Sequence, residues 1–111
     1  MGAEKIFENK IKAYLKDNDI FYVKFFANGY TVSGIPDILA CVDGKFWGIE
    51  VKAENGKISA LQYEKINQIY NSCGIAVVVY PSGFDELKKL IKGNKEKGKY
   101  LLKNNKKERI G

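Results

Sequence analysis

Asp37, Glu50 and Lys52 are the side chains in this 111-residue sequence best suited to chemistry, provided they meet. Asp43-Gly44 lies between two apolar runs, residues 37–42 and 45–52, and Asp-Gly in that setting is a strong signal for a two-residue hairpin turn. That turn pairs Val42 with Lys45 and brings Asp37 directly opposite Glu50. Lys52 shares the Glu50 face, because residues two apart on a strand point the same way. Directly opposed side chains have Cβ atoms roughly 4.5–5.5 Å apart, where like charges weaken the pairing. The neighbours Ile38, Leu39, Ala40, Phe46, Trp47 and Ile49 are apolar, so the two carboxylates are not fully solvated and need a proton or a cation between them. Mg²⁺ or Mn²⁺, taking oxygen ligands and keeping open positions for waters and phosphate oxygens, would meet that need. Lys52 beside such an ion could stabilise a phosphorane-like transition state or orient an attacking water. The same residues admit a plainer reading, with Glu50 and Lys52 as a surface salt bridge and Asp37 as a strand-entry residue after Pro36. A three-residue turn would shift the register and dissolve the site.

The rest of the composition narrows the chemistry. There is no histidine, which removes Ser-His-Asp triads, Cys-His pairs and histidine-bound zinc. Cys41 and Cys73 match no metal-knuckle or redox spacing and read as small buried core residues. The net charge of +6 favours a polyanionic partner, and its distribution is uneven. Residues 1–92 hold 12 lysines and 11 acids, a net of +1, whereas residues 93–111 hold seven basic and two acidic residues, a net of +5. No apolar run approaches the roughly 18 residues that span a bilayer, and the N-terminal residues lack a signal-peptide layout, so a cytoplasmic location is the default expectation.

The elements that must position the three residues follow from periodicity and breakers. Phe7, Ile11, Tyr14 and Leu15 form the apolar stripe of a helix over residues 4–18. Residues 20–26 are aromatic and β-branched, which predicts a strand ended by Asn28-Gly29. After the hairpin and a loop at 53–57, Ser59 opens a helix to about Cys73, with Gly74 at the C′ position. Residues 75–80 are continuously apolar, as in a strand covered on both faces, and residues 84–92 form a short last helix. The order αβββαβα predicts an α/β fold with a mixed central sheet flanked by helices. The expected division is a folded domain over 1–92 and a basic tail over 93–111. Tyr100-Leu101-Leu102 within that tail suggests a local docking point. Trp47, Tyr63 and Tyr70 read as packing residues before base-stacking ones, and Tyr80-Pro81-Ser82-Gly83 reads as a strand exit at the rim of the site.

Gly34-Ile35-Pro36-Asp37, Gly48-Ile49-Glu50-Val51-Lys52, Gly56-Lys57 and Gln62 together resemble the VRR-NUC family (virus-type replication-repair nucleases) of the PD-(D/E)XK superfamily. The likeness runs from about Glu4 to Ile91 in the element order of a restriction-endonuclease-like core. It implies that Asp37 and Glu50 bind Mg²⁺ or Mn²⁺ with the Val51 carbonyl, and that Lys52 is the catalytic lysine. A glutamate of the first helix joins similar sites; Glu8 is the better match, with Glu4 one turn earlier as the other. The family's glutamine falls on Gln62, which also completes a Ser59-x-x-Gln62 capping box, and both roles stay open. The implied activity is a DNA endonuclease acting on branched or junction DNA, in the manner of a Holliday-junction resolvase, as a homodimer. The other readings are a restriction- or homing-like endonuclease and a non-catalytic nucleic-acid-binding module of the same fold. Candidate nucleic-acid contacts are Lys57 and the basic residues Lys95, Lys97, Lys99, Lys103, Lys106, Lys107 and Arg109. The expected dimer surface is the aromatic strand Phe21–Phe26 or the Tyr100-Leu101-Leu102 patch.

Overall fold

The computed structural model describes residues 2–93 and 98–102. The chain forms α1 (Ala3–Asp17), β1 (Phe21–Lys24), β2 (Ile38–Val42), β3 (Lys45–Val51), α2 (Ala60–Asn71), β4 (Ile75–Val79), a 3₁₀ turn (Pro81–Gly83), α3 (Phe84–Lys92) and β5 (Gly98–Leu102). The five strands lie in sequence order, β1-β2-β3-β4-β5, in one sheet. The first three run antiparallel and the last three parallel. This is the expected α/β architecture, a mixed sheet flanked by helices, and it is compatible with a restriction-endonuclease-like core.

The β2–β3 hairpin has the register that its turn dictates. Asp43 and Gly44 have φ of 52° and 79°, the left-handed values of a type I′ turn whose twist matches the strands it joins. Val42 faces Lys45 and the pairing runs without a bulge to Ile38 opposite Ile49.

Two cores sandwich the sheet. Phe7, Ile11 and Leu15 of α1 and Leu87 and Ile91 of α3 pack on Trp47, Ile49, Val51, Val77 and Val79. On the opposite face Ile66 of α2 packs on Ala76, Val78 and Tyr80, with Ile58, Ile69 and Leu101 around it. Every residue of β4 is buried because alternate side chains enter the two cores, which accounts for its unbroken apolar run.

Four expectations change. The sheet takes in Gly98–Leu102, so the fold continues past the expected boundary at residue 92 and Tyr100, Leu101 and Leu102 are packing residues of β5. Their docking partner is β4, and Tyr80 N–H also bonds the Leu102 carbonyl at 3.2 Å. Second, the left-handed residue ending α2 is Cys73, with φ of 69°, instead of Gly74. A Cβ on Gly74 would lie 2.9 Å from Ile69 Cγ2, so the glycine there answers a close approach. Third, both cysteines are exposed. Cys41 lies between Phe21 and Phe46 on the α2 side of the sheet, where among the described residues no helix covers β1 and β2. Phe21, Val23 and Phe46 are exposed on that face as well. Fourth, Trp47 is fully buried as expected, whereas Tyr63 and Tyr70 are only half-buried.

Among the described residues no helix is long and apolar enough to cross a membrane.

Candidate active site

The site lies where β2 begins and β3 ends. Asp37 is one residue before β2, and extending the hairpin register by one step sets it beside Glu50. Its Oδ2 accepts the Val51 backbone N–H at 2.8 Å. The Val51 carbonyl points to the same side of β3 as that N–H, as both groups of one strand residue do, and therefore toward Asp37.

Glu50 is 3% exposed. Its Oε2 accepts Gln62 Nε2 at 2.8 Å and lies 3.7 Å from Lys52 Nζ. Its Oε1 is buried with no N–H donor among the described residues, and the protonated Glu50 carboxyl hydrogen-bonds with Asp37. Burial, and then the Asp37 charge, push the Glu50 carboxyl up to about 8, only partly opposed by Lys52.

Gln62 holds this network to α2. Its Oε1 accepts both Lys52 Nζ at 2.8 Å and the Ser59 backbone N–H at 2.9 Å, while Ser59 Oγ accepts the Gln62 N–H at 3.1 Å. The capping role and the site role of Gln62 are thus one arrangement: the cap pins the amide in the orientation that joins Lys52 to Glu50. Gly34 brings the preceding loop onto the same helix end. It has φ of 85°, and a Cβ there would overlap the Leu61 carbonyl.

Glu8 enters from the other face of the sheet and is also 3% exposed. Lys24 Nζ bonds its Oε1 at 2.9 Å, and Lys5 and Lys12 Nζ lie 3.2 and 3.3 Å from its Oε2. Burial alone would raise this carboxyl, but hydrogen bonds from Lys24 and Lys5, with Lys24's charge and Lys12, more than offset it and hold it below the usual value. Lys24 also lies 3.5 Å from Asp37 Oδ1, so it links Glu8 to the site without Glu8 joining Glu50 directly. Burial opposes the charge on Lys24, yet Glu8 and Asp37 together raise its proton affinity and keep it an ammonium. Glu4 is exposed and acts on Glu50 only through its charge.

Of the site residues expected from sequence, Asp37, Glu50, Lys52, Gln62 and the Val51 backbone converge, and Glu8 stands behind Lys24. Sequence reasoning missed Lys24. Its signal was available, since a charged residue at the end of an aromatic strand breaks the run Ile-Phe-Tyr-Val-Lys-Phe-Phe. Glu54 was missed as well: it accepts both the Ser82 backbone N–H at 3.0 Å and Ser82 Oγ at 2.7 Å, tying the loop after β3 to the 3₁₀ turn. Lys57 is exposed on that loop. Lys99, expected in a solvated tail, projects from β5, where its Nζ bonds Asn67 Oδ1 at 3.0 Å and lies 4.9 Å from the Tyr70 ring centre. Lys95, Lys97, Lys103, Lys106, Lys107 and Arg109 lie outside the described residues.

The donor set fits a hard cation. Two neighbouring acidic side chains and a backbone carbonyl offer oxygen ligands and leave positions open for water and substrate. Among the described residues no three His, Cys, Asp or Glu side chains group as a metal site. No protein-family model, characterised protein or solved structure matches the chain.

Proposed function

We propose that the chain is a Mg²⁺- or Mn²⁺-dependent DNA endonuclease of the VRR-NUC type, hydrolysing phosphodiester bonds at Asp37, Glu50 and Lys52. The observation that carries this reading is the buried Glu50 carboxyl, held so near the Asp37 charge that it keeps its proton up to about 8. Lys52 alone does not balance the two acids, so both can be ionised at neutral pH only with a further cation between them. A divalent cation there would displace the proton and meet both charges.

Asp37, Glu50 and the Val51 carbonyl would hold the ion. When bound, it supplies Lewis acidity to a phosphate oxygen and lowers the pKa of a water. The protein's own part is positional. Val51 N–H and Lys24 fix the two oxygens of Asp37, and Gln62 fixes Glu50. Gln62 also holds the Lys52 ammonium beside Glu50, where it can donate to a phosphate oxygen as negative charge develops there. Lys57 and the basic residues of 103–111 supply sequence-independent attraction to the DNA backbone.

Branched DNA as the substrate and a homodimer as the working form belong to the same proposal. The uncovered face of β1 and β2, with exposed Phe21, Val23 and Phe46, continues into an apolar groove lined by Pro36, Leu39 and Ile69. A two-fold pairing across it would present two sites to a nearly two-fold four-way junction.

The test is cleavage of supercoiled plasmid by the pure protein with Mg²⁺ or Mn²⁺, alongside Lys52→Ala. Nicking by the wild type and none by the variant is the expected result. Equal nicking by both overturns the site, and DNA binding without cleavage in either metal leaves only a binding module. Light scattering and paired-nick mapping on a four-way junction test the dimer.

A further inference from the structure

Lys24 is unusual for a lysine at the end of an edge strand. Its side chain is only 18% exposed and its ammonium lies between two carboxylates, 2.9 Å from Glu8 Oε1 and 3.5 Å from Asp37 Oδ1. Both acids come from elsewhere in the chain, Glu8 from α1 and Asp37 from the start of β2. We propose that Lys24 is a tethered cation that takes the place of a second divalent ion, so that the site binds one metal ion, at Asp37 and Glu50, and not two. This rests on the metal-dependent reading above.

The positions of the carboxylate oxygens support it. Asp37 Oδ2 accepts the Val51 N–H, whereas Oδ1 faces the Lys24 ammonium. An ion between Asp37 and Glu50 and another between Asp37 and Glu8 would both draw on the Asp37 carboxylate, and the second of these places is where the Lys24 ammonium lies. Two-metal phosphodiesterases hold their ions roughly 3.5–4 Å apart, a separation that the two oxygens of one carboxylate can span. Here Asp37 has the place of the shared carboxylate, Glu50 serves one flank, and Glu8 would serve the other if Lys24 were absent.

A divalent ion entering between Glu8 and Asp37 must shed tightly held water and displace an ammonium already attached to the chain. It would then leave that ammonium in a half-buried pocket without its partners. Lys5 and Lys12 do not bridge in this way, since both approach Glu8 Oε2 from α1 itself. They balance Glu8, whereas Lys24 joins it to Asp37. The consequence for catalysis is a fixed unit charge on the Glu8 flank in place of an exchangeable ion.

The test counts ions. Mn²⁺ is titrated into the full-length protein by calorimetry, with free Mn²⁺ read independently by electron paramagnetic resonance. One ion is expected in the wild type and in Lys24→Arg, two in Lys24→Met, and one again in Lys24→Met/Glu8→Gln. Two ions in the wild type, or one in a folded Lys24→Met protein, overturns the inference and leaves the proposed function standing. No ion in the wild type overturns both. Should Lys24→Met fail to fold, anomalous scattering from wild-type crystals soaked in Mn²⁺ decides the matter: one peak between Asp37 and Glu50 supports the inference, and a second peak between Asp37 and Glu8 overturns it.

Discussion

Glu8 and Glu50 flank Asp37 from opposite faces of one sheet, each 3% exposed, and their carboxyls are driven in opposite directions. Glu8 has three lysines within 3.3 Å and is held below the usual carboxylate range. Glu50 has Lys52 at 3.7 Å, an amide donor on one oxygen, and the Asp37 carboxyl as its other neighbour, so burial and then the Asp37 charge raise it to about 8. Burial is common to both; what differs is the compensating charge. Glu8 resembles a finished structural ion cluster, and Glu50 a site still short of a positive charge.

Substituting Glu50 should break this contrast most. Glu50→Gln keeps the shape and removes the charge, so cleavage should fall by on the order of a thousandfold, comparable with losing a principal electrostatic group of an active site. The metal-free protein should melt at the same temperature or higher at pH 8. Plasmid nicking and calorimetric melting read the two effects, and a large loss of stability would mean that Glu50 is structural.

The pH dependence of stability follows from the raised Glu50 value. Between the ordinary 4.5 and about 8 the folded state holds a proton that the unfolded state has released, so stability falls as pH rises through that window. The whole shift corresponds to a loss of a few kcal/mol, at about 1.4 kcal/mol per unit. Denaturant melts of metal-free protein at pH 5, 6.5 and 8 should show this decline, while Glu50→Gln or saturating Mg²⁺ flattens it. A stability that climbs over the same range contradicts the assignment.

Glu8→Gln should behave in the opposite sense. It strips three ammonium groups of their common partner and should cost roughly 1–3 kcal/mol at neutral pH, kept modest because Lys5 and Lys12 can turn to solvent. Because the Glu8 carboxyl is depressed, its contribution is present above the ordinary carboxylate range and lost as pH falls. The destabilisation should therefore shrink in acid, which denaturant melts at pH 4 and pH 7 would reveal.

The smallest effect is expected at the C-terminus. Deleting 103–111 removes four basic residues and one acid and leaves β5 intact. The log–log salt slope of DNA binding should flatten by up to about 3–4 units, at nearly one per neutralised phosphate, with turnover at saturating DNA unchanged. Deletion from residue 94 should instead damage the fold, since β5 pairs with β4 and Gly83 packs against Leu102. Equal salt slopes for the full chain and the 103–111 deletion would remove the tail from the DNA contact.

Features governed by neighbouring residues were legible in the sequence by itself. Asp43-Gly44 determined a left-handed turn, and the turn with the two-residue strand period determined which side chains of the hairpin face each other. Ser59 and Gln62 determined their capping box, whose partners are three residues apart. Local geometry decides these because the φ/ψ preferences and the short spacings leave few alternatives. Only the tertiary structure decided what arrives from a distance. Glu8 and Lys24 meet across 16 positions because α1 docks beside β1, and no periodicity announces that contact. Lys99 and the Tyr100-Leu101-Leu102 segment became part of the sheet because β4 offered a free parallel edge. Cys41 has the apolar neighbours of a core residue, yet it is exposed because α2 covers β4 and β5 and leaves that face of β1 and β2 open. A residue's burial depends on which helix lands above it, and that is settled by packing the whole chain, not by the run of residues around it.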